Sequence, residues 1–290
     1  MTTFAAAAAA FLTSKPVRLT LLGLVAFVGI AAAVLYGVSE WKFARTYDVP
    51  KIALRAGAPV SAERGAHLGV TLSCQGCHGT HGRAMFDVPI MGRIIAPDLA
   101  RVAASYSDDE FATLLRTGVK RDGHSALIMP GDAYSSLADS DVAALSVWFH
   151  GLKPDAETET QKTAMGPLGR LMAVMDQLPF SAAMPHDPTP PIDPPAEPQL
   201  ARGEYLVKTT CNHCHAMDAV REVEPGLDAP PVRAMVQGYS LEEFAHLLRT
   251  GKGVGDRELR LMSEVARQHL SHLTDQEIAD IHAFLNAPAP

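Results

Sequence analysis

A chain of 290 residues, 47% hydrophobic and 20% charged, is longer than the roughly 100–200 residues one compact domain needs, and its composition excludes collagen-like, coiled-coil and wholly disordered classes. A formal net charge of −7 argues against a nucleic-acid binder, which asks for a basic face, and four cysteines are too few for a disulfide scaffold. Aromatic residues are sparse for cores of this size: two tryptophans, six tyrosines and ten phenylalanines.

The first element is an uncharged run of 20 residues, Leu19 to Val38. At about 1.5 Å per residue it matches the ~30 Å hydrocarbon core of a bilayer. Lys15 and Arg18 precede it, so the positive-inside rule places the N-terminus in the cytoplasm and exports the rest. Tyr36 and Trp41 then fall near the outer interface. Ala31-Ala32-Ala33 would suit a signal peptidase, but the apolar run is long for a signal segment and continues through Tyr36. Residues 1–47 are therefore read as a cytoplasmic tail, with its low-complexity Ala5–Ala10 run, and an uncleaved membrane anchor.

The remainder repeats itself at an offset of 133–138 residues. Arg64-Gly65 precedes Cys74-Gln75-Gly76-Cys77-His78, and Arg202-Gly203 precedes Cys211-Asn212-His213-Cys214-His215. Tyr106–Gly118 (YSDDEFATLLRTG) and Tyr239–Gly251 (YSLEEFAHLLRTG) are identical at 10 of 13 positions. Leu137–Phe149 and Leu273–Leu285 follow with apolar residues at helical spacing, and Asp139 and Asp275 read as their capped starts. No strand alternation stands out, so each copy reads as four or five short helices. Between the copies, residues 179–198 carry eight prolines and read as an extended linker. Just before it, Leu168–Leu178 reads as a short amphipathic helix whose Met172 and Met175 fill a core or an interface. The boundaries are 48–178 for the first domain and 199–290 for the second.

Two thiols spaced by two residues, with histidine next, suit covalent haem attachment: each sulfur bonds a vinyl group and the imidazole reaches the iron. Zinc would need two further ligands per site, and a redox dithiol is a poor reading of a duplicated motif in an otherwise cysteine-free exported chain. Cys74, Cys77 and His78, with Cys211, Cys214 and His215, thus imply two haem c groups.

With these motifs, Gly92–Leu99 (GRIIAPDL), Arg116–Gly118 (RTG), Met129-Pro130 and the terminal helix, the chain resembles membrane-anchored dihaem class I c-type cytochromes over approximately residues 48–150 and 199–287. The resemblance implies an all-α fold, one transmembrane helix followed by two tandem cytochrome c domains, and iron held by histidine and a distal methionine. Met129, 51 residues after His78, and Met262, 47 after His215, fit that place better than Met85, Met91, Met217 or Met235. Ser263 stands where a proline is expected after Met262. His124, His269 and His272 are alternative ligands, otherwise solvated surface residues. Pro97 and Pro230 resemble the family's proline, whose carbonyl accepts the histidine Nδ1–H. Arg116 and Arg249 would meet either a haem propionate or the backbone.

Similar tandem domains form cytochrome subunits of bacterial membrane-bound dehydrogenases and respiratory complexes. The expectation is a single-electron carrier rather than an enzyme, in the inner membrane with its haem domains in the periplasm. It would work between such a complex and an acceptor such as a terminal oxidase. From residue 51 onward the charge is −9, which would steer a basic partner or serve solubility. A dihaem peroxidase, a thiosulfate-oxidising cytochrome or a gas sensor would instead need a labile distal ligand.

Overall fold

The computed structural model describes residues 15–55, 57–79, 82–154, 161–224 and 226–288; the Ala5–Ala10 run lies outside them. Its first element is helix α1 (Lys15–Phe43), long and apolar enough to cross a membrane, with a mean hydropathy of 2.4 over its most apolar window. Its large apolar side chains, from Leu19 to Trp41, are exposed rather than packed.

Two apolar cores follow. The first gathers α2 (Ala62–Thr71), α3 (Cys74–His78), α4 (Leu99–Ala103), α5 (Asp108–Thr117), α6 (Gly131–Tyr134) and α7 (Asp139–Gly151) around Leu68, Phe111, Leu115 and Leu145. Phe111 stacks on Phe149 with ring centroids 4.5 Å apart. After α8 (Pro167–Val174), the second core gathers α9 (Gln199–Leu206), α10 (Val232–Val236), α11 (Leu241–Thr250), α12 (Leu261–Gln268) and α13 (Asp275–Asn286) around Phe244, Leu248, Ile278 and Ile281. Full burial of each such apolar side chain contributes ~1.5–3 kcal/mol.

Local chemistry explains the repeated segments. Ser107 and Glu110 form a reciprocal capping box at the start of α5, as Ser240 and Glu243 do for α11. Gly118 and Gly251 end these helices in the left-handed region, at φ 65° and 75°. The repeated Arg-Gly pairs set the crossing of the first and last helices in each core. A Cβ at Gly65 would collide with the Ala144 carbonyl and Trp148, and one at Gly203 with the Asp280 carbonyl and Phe284. The adjoining arginines hold the same helices by paired bonds, Arg64 to Asp141 (2.9 and 3.0 Å) and Arg202 to Asp280 (2.7 and 3.2 Å).

Three expectations need correction. The fold is mainly helical but not all-α. β1 (Arg83–Val88) pairs with β2 (Gly92–Ala96), β3 (Ala164–Met165) joins β2, and β4 (Arg221–Glu224) pairs with β5 (Leu227–Ala229). β6 (Lys252–Gly253) pairs with β7 (Arg257–Glu258). These strands are short, and both hairpins following the cysteine motifs carry a register shift that breaks period-two alternation. Asp139 and Asp275 are not the caps: each is the first helical residue, behind Ala138 and Thr274. Thr274 makes a capping box with Glu277. Ala138 has no side-chain acceptor, and the proline-rich segment supplies one: Pro191 and Ile192 carbonyls accept from the N–H groups of Asp139 (3.0 Å) and Ser140 (2.9 Å). The linker is therefore docked along the first core. His269, expected at the surface, is buried.

The two cores meet through matched contacts. Tyr205 on α9 donates to Asp141 on α7 (2.8 Å), while His67 on α2 bonds Glu277 on α13 (3.0 Å). Position 67 corresponds to 205 in the repeat, and 141 to 277, so each half offers the same two positions to the other. Such exchange is the mark of an approximately two-fold contact.

Candidate functional site

The first cysteine motif forms α3, entered through Ser73 in a left-handed conformation (φ 64°). The second follows a π-type turn, Val207–Cys211, closed by Asn212 N–H on the Val207 carbonyl (3.1 Å). In each half the hairpin after the motif brings a proline carbonyl back to the histidine. His78 Nδ1 donates to the Pro97 oxygen (2.7 Å), and His215 Nδ1 to the Pro230 oxygen (2.8 Å). Since a carbonyl only accepts, the proton sits on Nδ1, and Nε2 keeps its lone pair for a metal. Nineteen residues separate the partners in the first half and fifteen in the second, so the hairpins absorb the difference.

Cys211, Cys214, His215, Pro230 and Met262 line one cavity of about 730 Å³, walled otherwise mainly by apolar side chains such as Phe244, Leu248 and Ile281. A porphyrin fits this chemistry: a large apolar slot, two thiols, one imidazole with a free nitrogen and two thioethers, Met262 and Met235. Met235 also reaches the wall, from α10, whereas Met262 opens α12. Met217 packs against the second core, and Met85 against a separate apolar cluster beside Phe43. In the first half, Cys74 and Met129 pack against the same core. Tyr134, buried beside the cysteines, donates to the Leu72 carbonyl (2.7 Å).

Burial pushes the Cys74 and Cys211 thiols up to about 12, the reverse of a redox-active dithiol. Among the described residues no group of three or more His, Cys, Asp or Glu side chains gathers as a metal site.

The methionine loops are braced in different ways. Ser181, from the segment after α8, donates to the Met129 carbonyl (2.5 Å) and packs on Gly118. In the second half Ser263 itself, fully buried, donates to the Gly251 carbonyl (2.5 Å) and accepts from Leu259 N–H (2.6 Å). The residue replacing proline thus ties the loop down.

Arg116 and Arg249 meet the backbone. Arg116 donates to the carbonyls of Ser135 (2.8 Å) and Leu137 (2.5 Å) and to Asp139 (2.7 Å). Arg249 does the same to Ser271 (2.5 Å), Leu273 (2.5 Å) and Asp275 (2.7 Å). Each therefore fixes the turn between the methionine loop and the last helix.

His124 is half-buried beside Asp122 (3.4 Å), and His272 is exposed. His269 is neither solvated nor in the cavity wall: it is buried against Gly76 of the first motif, where a Cβ would strike its ring. The equivalent place in the second motif holds His213, which lies 3.5 Å from Asp132 of the first half. Sequence reasoning missed this junction, together with Tyr134, Ser181 and the Tyr205–Asp141 and His67–Glu277 pairs. Only the equivalence of those four interface positions in the repeat, 67 with 205 and 141 with 277, signals it.

The family described as cytochrome C oxidase, cbb3-type, subunit III matches residues 198–285. The chain is 32% identical over 220 residues to the alcohol dehydrogenase (quinone), cytochrome c subunit, of Gluconacetobacter polyoxogenes, covering 71% of this chain and 44% of that protein. It is 25% identical over 269 residues to the gluconate 2-dehydrogenase cytochrome c subunit of Pantoea cypripedii, covering 78% and 59%. It is 25% identical over 258 residues to the fructose dehydrogenase cytochrome subunit of Gluconobacter japonicus, covering 78% and 52%. The chain thus spans about half the length of the curated relatives it matches.

Proposed function

We propose that this chain, which carries a cytochrome c domain and with it covalently bound haem c, is a dihaem electron carrier serving a membrane-bound dehydrogenase. The observation that carries the reading is the duplicated histidine-to-proline bond, 2.7 and 2.8 Å, behind each cysteine motif. The two domains are 48–178 and 199–290, joined by 179–198 and held to the inner membrane by α1, with both domains in the periplasm.

Bound haem supplies a one-electron ferric–ferrous couple. Cys74 and Cys77, and Cys211 and Cys214, fix the two macrocycles covalently. His78 and His215 offer Nε2 to iron while Pro97 and Pro230 set ring orientation and basicity. Met129 and Met262 would offer a thioether to the iron, a soft neutral sulfur that would raise the potential relative to bis-histidine ligation. With histidine and methionine both supplied by the chain, neither site would leave the iron open to substrate. Both motifs sit at the junction of the halves, Gly76 at His269 and His213 at Asp132, which supports electron exchange within the chain.

The relatives' names point to the donor: a dehydrogenase catalytic subunit that hands over single electrons. Purification from detergent-solubilised membranes tests this. A dehydrogenase subunit should accompany the chain, and its substrate should reduce both haems. Isolation alone, with rapid turnover of peroxide, would overturn the carrier reading.

A further inference from the structure

Helix α8 lies beside the exported end of α1, and its inner side is held there by charge. Arg170 donates to Ser39 Oγ (2.9 Å) and Glu40 (3.0 Å) and stacks over the Tyr36 ring at 4.5 Å. Lys42 donates to the carbonyls of Ala173 (2.9 Å) and Val174 (3.1 Å), closing the C-terminus of α8, and pairs with Asp176 (2.6 Å). Moving from position 170 to 174 along α8 therefore follows α1 from Tyr36 out to Lys42. The two helices run in the same direction, and the start of α8 is its end nearer the apolar run.

The opposite side of α8 is left partly open by the described residues. Leu168, Leu171 (41% exposed) and Met175 (57%) share it at helical spacing. The turn of the β1–β2 hairpin adds Val88 and Ile90 (60% exposed), and it is fastened to α8 by Leu168 N–H on the Ile90 carbonyl (2.9 Å). Because Arg170 reaches Tyr36 and Ser39, the start of α8 and the hairpin turn fastened to it lie level with the outer end of the apolar run of α1. Charged side chains on the same elements are paired: Arg93 with Asp87 (2.9 Å), Arg170 with Glu40 (3.0 Å) and Asp176 with Lys42 (2.6 Å).

We propose that this patch is a second membrane contact: the β1–β2 turn and the outer side of α8 lie in the interfacial layer of the bilayer on the exported side. The inference rests on α1 spanning the bilayer. A short amphipathic helix bound this way adds apolar burial at the headgroup–acyl boundary. It also stops the first half from swinging on α1, because β2, fastened to α8 through β3, leads directly to Pro97 and so to His78. The order of depth follows from the parallel helices: Ile90 and Leu168 deepest, Leu171 intermediate, Met175 nearest the water.

Site-directed spin labels on the full-length holoprotein in phospholipid nanodiscs test this, using Val28→Cys, Ile90→Cys, Met175→Cys and Asp256→Cys one at a time. Accessibility to oxygen, which partitions into lipid, is compared with accessibility to a water-soluble nickel chelate. Labels at positions 28 and 90 should show an oxygen-to-nickel ratio several-fold above that at position 256, with position 175 between. A lipid-exposed label at 28 with a water-exposed one at 90 would overturn this inference alone. Water exposure at both would overturn the anchor as well. A label at 90 shielded from both reagents would show a protein cover and would also overturn it.

Discussion

Tyr205 and Asp141 belong to different halves of the chain, yet the phenol donates to the carboxylate at 2.8 Å while accepting the Ala138 N–H at 2.9 Å. The tyrosine therefore caps the start of the other half's last helix and pins the crossing of the two cores. Replacing Tyr205 by Phe leaves a buried N–H without its acceptor and should cost ~1–3 kcal/mol in chemical denaturation. Haem content should stay unchanged, because no motif residue is touched.

The reciprocal contact, His67 to Glu277, is sensitive to acid. Burial opposes ionisation of Glu277, but hydrogen bonds from His67 and from Thr274 outweigh it and lower its pKa to about 2. A depressed folded-state pKa stabilises the protein above the unfolded value of 4.5, and this stability is lost as pH falls through about 2. Discounted for partial solvent exposure, the loss is ~1–2 kcal/mol. Thermal unfolding followed from pH 6 to about 2 should show this loss in the native chain. The Glu277→Gln variant should lack the contribution at every pH and show a correspondingly flatter profile.

The two arginine clamps make the same three bonds in different surroundings. Arg116 and Asp139 side chains are 5% and 6% exposed, whereas Arg249 and Asp275 are 34% and 98% exposed. Removing one partner of a buried pair costs ~3–5 kcal/mol, and an exposed pair contributes under ~1 kcal/mol. Arg116→Ala should therefore destabilise clearly more than Arg249→Ala, by ~2 kcal/mol or more in denaturant titration.

Two methionines reach the second cavity, and the ligand assignment separates them. Met262→Ala should remove about half of the weak far-red sulfur-to-iron band of the oxidised protein, by the proposed one-thioether-per-haem ligation. Met235→Ala should leave the band intact and cost ~2–5 kcal/mol of stability at most. Absorption spectra of both variants check this directly.

What was legible in the sequence is what local chemistry determines. The segments Tyr106–Gly118 and Tyr239–Gly251 stand out by their recurrence, and both fold as capped helices. The cysteine motifs and the transmembrane-length run are equally local. What stayed hidden depends on partners distant in the chain. Asp139 reads as a cap, but carbonyls of the proline-rich segment cap that helix instead and leave Asp139 for Arg116 and Arg55. His269 reads as a surface residue because nothing nearby says that Gly76, far upstream, leaves room for its ring. The hairpins escape notice because a bulge in each breaks the alternation by which strands are recognised.

Two haems in one chain are what the duplicated motifs require, and they can be counted directly. Intact-mass spectrometry of the purified holoprotein, paired with haem quantitation per polypeptide, should show two covalently attached haems. The Cys211→Ser/Cys214→Ser variant should retain one. A native chain carrying a single haem, or a variant still carrying two, would contradict the account.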